Sequence, residues 1–495
     1  MAKNNSYKDS LKATTLFGGV QVYSILIGII RSKFIAVLLG PAGMGISGLL
    51  SSTTGLISSF TSCGLSTSAV RDVSEAHITG DQKRISLIIA VLKRLVWITG
   101  LVGALVCLIF APYWSKLTFG NNDYTIGFII LSLSILITQL TSGQNVILQG
   151  LQKYAYLAKA NLFGNTIGLL ITIPLYYYWG INAIVPVLLL SSLTSFLLTS
   201  YYSRKIKIES VPLTTPIVKK EGKSMLRMGI FISLQSLFAM LVAYIVRIFI
   251  SNTGGVGEVG LYAAGFTIVN TYVGLIFNAM GTDYYPRLSA VSKENSMMSK
   301  LVNEQSEIAI ILLSPIIISF IIYIRLIVKI LYSNKFIPVE GMIYWAIFAI
   351  FFKALSWTIS FCFLSKADTK LYFWSEFSAS SYTLLFNIIG YHFFGLTGLG
   401  ISFFAIYVIY FLQVWIICKK KYQLHLNKTI FKLLIPQFIL SVISICLVLF
   451  TSSIFKYSVG TLLFFTSCYL AYYELNKRVN IKSLINNSIN HFSKK

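Results

Sequence analysis

The feature that most constrains this chain is the recurrence, from end to end, of apolar runs of about 18–25 residues. Each is long enough to cross a hydrocarbon core of roughly 30 Å as a helix. The runs are continuous rather than alternating apolar and polar, which argues against a membrane β-barrel. Composition agrees. Mean hydropathy is +0.75 and only 12% of the 495 residues are charged, against about 25% in soluble domains. The fold expected is all-α and polytopic, with about fourteen transmembrane helices divided by turn signals such as "YYYWGIN" and "HFFGLTG".

A net charge of +25 would suggest nucleic acid in a soluble protein. Here the basic residues sit in alternate short loops: about 32 of the 41 fall at the two ends and in the loops near 71–94, 149–159, 203–227, 283–307, 365–370 and 419–432. That asymmetry places both termini in the cytoplasm and makes the charge a matter of topology, with no nucleic-acid partner. The opening "MAKNNSYKDSLKATTLFGGV" lacks a short apolar core closed by an A-x-A site and reads as an uncleaved first span. Tyr176, Tyr177, Tyr178 and Trp179 read as an aromatic anchor at the outer interface.

Two segments half a chain apart share anchors. "GIIRSKFIAVLLGPAGMG" has Arg31 followed by Gly40 and Gly45; "YIVRIFISNTGGVGEVGLY" has Arg247 followed by Gly255 and Gly260. Downstream, Phe60, Gly64 and Arg71 match Phe277, Gly281 and Arg287. An even number of spans separates the copies, so the repeat is parallel, about an axis along the membrane normal. The organisation expected is a six-helix lobe over 1–202, a basic cytoplasmic linker over 203–224 with Pro212 and Pro216, a second lobe over 225–418, and a hairpin with a basic tail over 419–495. The glycines read as hairpin and close-packing devices rather than ligand contacts.

An Arg at the centre of a membrane helix costs roughly 2.5–3.5 kcal/mol even on the mildest scale, so Arg31 needs a reason. It shares a helix face with Gln21, Ser24 and Gly28, and Arg247 shares one with Ser233, Ser236, Met240 and Tyr244. The fourth span aligns Gln139, Ser142 and Asn145, and the tenth aligns Lys353, Ser356 and Ser360. Each stripe has a plainer reading: snorkelling for the arginines, interhelical hydrogen bonding for the amides and hydroxyls, and pairing with an acid such as Glu376 for Lys353. On the functional reading, Arg31, Arg247, Lys353, Gln21, Ser24, Gln139 and Asn145 bind substrate across a wet cleft between the lobes. Guanidinium forks match phosphate oxygens, so a lipid-borne diphosphate suits these cations and the amides suit sugar hydroxyls.

The chain has no G-x-x-x-x-G-K-[ST] loop for ATP, no carboxylate pair placed for glycosyl transfer and no metal-ligand spacing among its six cysteines. It reads as a secondary transporter without a cofactor, driven by an ion gradient (H⁺ or Na⁺), the membrane potential or product consumption. Glu376 is the leading ion-coupling candidate. Asp283 is the second, though its spacing also allows an ion pair with Arg287 one turn on.

The stretches "IIRSKFIAVLLGPAGMG", "SSTTGLISSFTSCGLSTSAVRDVSEA" and "GGVGEVGLYAAGF" resemble the polysaccharide-flippase branch of the multidrug/oligosaccharidyl-lipid/polysaccharide (MOP) exporter superfamily, and more narrowly Wzx-type O-antigen translocases. The resemblance implies alternating access that moves an undecaprenyl-diphosphate-linked oligosaccharide across the bacterial inner (cytoplasmic) membrane. It also implies a place beside polymerase and chain-length proteins of the same polysaccharide pathway. Arg31 followed by Gly40 matches the cavity arginine of related lipid II flippases. Their further arginines lack counterparts on the second span, which argues against lipid II as cargo. The alternatives are a cation-coupled multidrug exporter of the same superfamily, which calls for cavity acids, and a membrane-embedded polysaccharide polymerase, which calls for a large outer loop.

Overall fold

The computed structural model describes residues 2–206, 208–209, 211, 214–451 and 453–478. Pro212 and the basic tail over 479–495 lie outside them. No strand occurs among the described residues, and seventeen α-helices account for most of the chain. Among the described residues nine helices are long and apolar enough to cross a membrane, or ten if one bent pair counts as a span. Two of these, Tyr154–Arg204 and Thr369–Tyr422, run to 51 and 54 residues, well beyond the roughly 20 that one crossing needs. The first breaks at a 3-10 turn over Gly180–Ala183, and the second at Gly395, whose φ of +56° is left-handed. Both breaks fall in the turn signals read from the sequence. The count of fourteen is not reached on length and hydropathy alone: neither α2 (Gly40–Ser62), rich in Gly, Ser and Thr, nor the helix over Ser453–Arg478 is among the qualifying helices.

The chain divides into two compact units, Met1–Ala263 with Leu331–Lys335, and Ala264–Ile330 with Phe336–Lys495. The first contains α1 (Ala2–Leu38), α2, α3 (Leu65–Thr79), α4 (Gln82–Ile109), α5 (Ala111–Phe119), α6 (Thr125–Gly150), α7 (Tyr154–Trp179), α8 (Ile184–Arg204) and α9 (Thr215–Gly254). Two helix starts carry a plain signal in the sequence. Pro41 opens α2 at a position that needs no amide hydrogen, and the Asp81 carboxylate caps α4 by accepting from the Lys83 and Arg84 amides at 2.9 and 3.1 Å. The 40-residue α9 starts inside the basic linker, so the second half of that linker is helix, and it packs on α2, α3, α4 and α5.

Apolar side chains gain little by leaving lipid for a helix interface, so close backbone approach does more of the work in a membrane bundle. The repeated glycines supply it. A Cβ on Gly45 would overlap the Val256 carbonyl oxygen, and one on Gly260 would overlap that of Pro41. The N-terminus of α2 therefore packs reciprocally on that of α10 (Val256–Thr267) through corresponding glycines of the two copies. Gly64 and Gly229 bring α3 and α9 together in the same way.

The second unit begins at Ala264, in the last turn of α10, and continues with α11 (Gly274–Ala290), α12 (Asn295–Leu331), α13 (Glu340–Phe348), α14 (Ile350–Ser365), α15 (Thr369–Tyr422), α16 (Lys428–Phe450) and α17 (Ser453–Arg478). Its interior carries Ile317, Ile318, Ile321 and Ile322 of α12 and Phe351, Leu355 and Ile359 of α14. Buried polar groups are matched across helices: Ser306 with Thr358 at 2.7 Å, the Tyr284 hydroxyl to the Thr358 carbonyl at 2.8 Å, and Ser467 to Gln437 at 2.7 Å.

Candidate functional site

In the first unit Arg31 lies half-buried near the C-terminal end of α1, where its Nη2 donates to Ser191 Oγ of α8 at 3.0 Å. Tyr176 of α7 is the neighbouring phenol. Tyr176 is thus a buried packing residue, while Tyr177, Tyr178 and Trp179 are exposed as an interfacial belt should be. Lys33 has a different task. Its Nζ donates to the Tyr332 carbonyl at 2.6 Å and fixes the end of α1 to the segment 331–335. Arg247 reaches from α9 to α2, where its Nη1 donates to Ser52 Oγ; that hydroxyl in turn donates to the Gly48 carbonyl at 2.6 Å.

Among the described residues neither arginine has a carboxylate within ion-pair distance. Cations nearer the rim do: Arg84 with Glu221 at 2.9 Å, Arg478 with Glu307 at 2.8 Å, and Lys421 with Asp368. Two positive charges within the spans are therefore held by neutral hydroxyls, which orient a guanidinium without neutralising it.

The other polar positions part company. Ser24 accepts from the Asn165 amide at 3.0 Å, and Tyr23 bonds Thr166 at 2.6 Å, so this face of α1 is joined to α7. Gln21 is exposed. Gln139 is 5% exposed and donates to the Ser58 carbonyl and hydroxyl at 2.8 and 3.1 Å. It is a clamp between α6 and α2, with no free amide hydrogen pair for a sugar. Asn145 keeps its amide oxygen buried with no donor in reach among the described residues. An apolar cavity of about 500 Å³ opens beside these helices, walled by Leu56, Phe60, Trp114, Leu241, Tyr244 and Ile248. The Tyr244 hydroxyl turns away to bond Thr118 at 2.9 Å and Thr53 at 3.2 Å.

In the second unit Lys353 sits just after the 42° bend between α13 and α14. Its partner is not Glu376. Lys353 Nζ donates to Asn270 Oδ1 at 2.9 Å and lies 5.3–5.8 Å from the ring centres of Phe277, Phe403 and Tyr407. Glu376 instead accepts from the Tyr410 hydroxyl, across the two halves of α15. Asp283 pairs with Arg287 at 3.1 Å, with both side chains largely exposed, so it is a rim pair rather than a buried acid. Asn270, Ser52, Ser191 and Tyr410 escaped the sequence reading. An isolated amide or hydroxyl in an apolar run shows no periodic signal, and only the packing reveals that it faces a charge.

The family model for "Polysaccharide biosynthesis protein" matches residues 34–340. The chain belongs to this family. Among curated relatives it is similar to the Lipid III flippases of Escherichia coli (strain K12) and Shigella flexneri, at 22% identity over 401 residues in each case, covering 78% of this chain and 92% of theirs. Its fold is that of MOP-superfamily transporters. It superposes on an inward-facing multidrug resistance MATE family transporter with a TM-score of 0.66, at 16% identity over 81% of this chain and 94% of that one. It also superposes on the lipid II flippase MurJ in an inward closed conformation with a TM-score of 0.64, at 16% identity over 93% and 99%. This member of the polysaccharide biosynthesis family is a multi-pass membrane protein of transporter fold, as the apolar runs required.

Proposed function

We propose that this protein is a flippase that carries an undecaprenyl-diphosphate-linked oligosaccharide, an O-antigen or capsular repeat unit, from the inner to the outer leaflet of the bacterial cytoplasmic membrane. The mechanism is alternating access by two six-helix lobes, with both termini in the cytoplasm. The observation that carries this reading is the state of three cations within the spans. Arg31, Arg247 and Lys353 are each positioned by a neutral side chain and lack an acid partner among the described residues. Unneutralised charge within a span is costly unless an anion meets it, and guanidinium and ammonium groups alike form charge-assisted bonds to phosphate oxygens. The family membership and the Lipid III flippase relatives point to the same class of cargo.

Glu376, held by Tyr410 in the second unit, is the coupling-ion site in this reading. The multidrug-exporter alternative calls for several buried acids, and Asp283 is committed to a rim pair. The test is transport of a fluorescent polyprenyl-diphospho-oligosaccharide in proteoliposomes by wild type, Arg31→Ala and Arg247→Ala. Wild type moves the probe and both variants, inserted normally, do not. Variants that transport at the wild-type rate would overturn the proposal.

A further inference from the structure

Lys353, Trp357 and Phe361 follow one another at four-residue intervals on α14 and form a single stripe. A charged ammonium within a span is tolerated on a wet face and not against lipid tails, and half-buried Lys353 leads this stripe. Three aromatic rings surround Lys353, and the ring contacts continue past it. Trp357 lies 5.4 Å from Phe277 and 5.0 Å from Phe361, and Phe361 lies 5.8 Å from Tyr285. The indole rests against the backbone of α11 because residue 281 is glycine; a Cβ there would stand 3.3 Å from Trp357 Cζ2. The cluster is open along one side. Phe277 and Tyr284 are buried, Tyr407, Trp357 and Phe361 are half-buried, Tyr285 is 42% exposed, and Asn270 is exposed.

A second, independent feature marks the same place. Asn270, the partner of Lys353, lies in a five-residue π-helical turn over Ile268–Tyr272, between α10 and α11. Such turns are rare and concentrate at functional positions. The strip thus has a hydrogen-bonding cation at one end and, leading from it, a row of aromatic rings 5.0–5.8 Å apart and tilted against one another. A sugar ring has an apolar C–H face that packs on an aromatic ring, and aromatic surfaces with a few placed polar groups are what a saccharide site needs.

We propose that this strip is a saccharide-binding track, in which Lys353 and Asn270 hold the diphosphate and Trp357, Phe361 and Tyr285 stack against successive sugars. The inference rests on the lipid-linked oligosaccharide reading above and adds which residues contact the glycan. Stacking tolerates differences in sugar identity, so the track discriminates by the presence and number of sugars.

The test uses the full chain in nanodiscs and three probes: farnesyl diphosphate, and the same diphosphate carrying one or three hexoses. Wild type binds the three-hexose probe more tightly than the bare diphosphate. Trp357→Leu lowers affinity for the three-hexose probe about two- to tenfold, the value of one aromatic contact, and leaves the bare diphosphate unchanged; Trp357→Phe retains affinity. Tyr285→Leu, at an exposed position that does not threaten folding, has the same selective effect. Lys353→Gln weakens all three probes alike. Equal binding of bare and sugar-bearing probes by wild type, or indifference of the three-hexose probe to both ring-deleting variants, overturns the track while the flippase reading stands. Failure of wild type to bind any diphosphate overturns both.

Discussion

Arg247→Gln separates a stabilising role from a ligand-binding one. Among the described residues of the first unit Arg247 makes one hydrogen bond, to Ser52 Oγ. When that bond is lost, the serine hydroxyl keeps its own acceptor, the Gly48 carbonyl at 2.6 Å, so no buried group is orphaned. The cost to stability is then that of a single hydrogen bond between α9 and α2, about 0.5–1.5 kcal/mol. No carboxylate is left unpaired by the change, because none is paired with Arg247 among the described residues. The ligand loses more. A charge-assisted bond to phosphate is worth about 1.5–3 kcal/mol, which corresponds to an affinity loss of about ten- to a hundredfold. The assay measures, on the same purified variant, thermal unfolding in detergent and binding of farnesyl diphosphate in nanodiscs. Near-native unfolding with at least tenfold weaker binding is expected, and Arg247→Lys should lie between the two because it keeps the charge and loses the fork. If Arg247→Gln binds the diphosphate as wild type does, or unfolds far below it, the arginine is a structural tie and the argument from unneutralised charge fails.

Three further outcomes are expected. Gly45→Ala, which forces a Cβ onto the Val256 carbonyl oxygen, should destabilise the protein by about 1–3 kcal/mol, whereas Gly48→Ala on the same helix, where nothing lies within 4 Å, should be neutral or stabilising by up to about 1 kcal/mol; thermal unfolding of the pair decides. The hydrogen bond from Arg84 holds the Glu221 carboxyl, outside the spans, below its ordinary value of 4.5. A depressed acid contributes stability that is fully present above pH 4.5 and fades as pH falls through its lowered value, so Arg84→Gln should weaken the acid dependence of unfolding below pH 4.5, and an unchanged pH profile would count against the pair. Glu376→Gln should remove the response of transport to an imposed H⁺ or Na⁺ gradient while leaving downhill movement of cargo; retained gradient dependence would place coupling elsewhere.

The residues show what was legible in the one-dimensional chain. Span-length apolar runs and the sparing use of charge determine an all-helical membrane protein, because a backbone in lipid must satisfy its own hydrogen bonds. The sequence also shows the Gly395 and Gly180 turns, the matched Gly45 and Gly260, and the pairing of Asp283 with Arg287, since each depends on neighbours within a few residues or on a repeat visible by comparison. What it could not show is which helix lies against a given face. Gln139 and Arg31 look alike as polar positions on membrane helices. Packing turns one into a clamp on the Ser58 carbonyl and leaves the other on a single hydroxyl with its charge intact. Lys353 could have met Glu376, and the fold gave it Asn270 and three aromatic rings. Helical periodicity fixes the direction in which a side chain points; only the tertiary arrangement decides what waits there, because that partner comes from another helix brought near by packing.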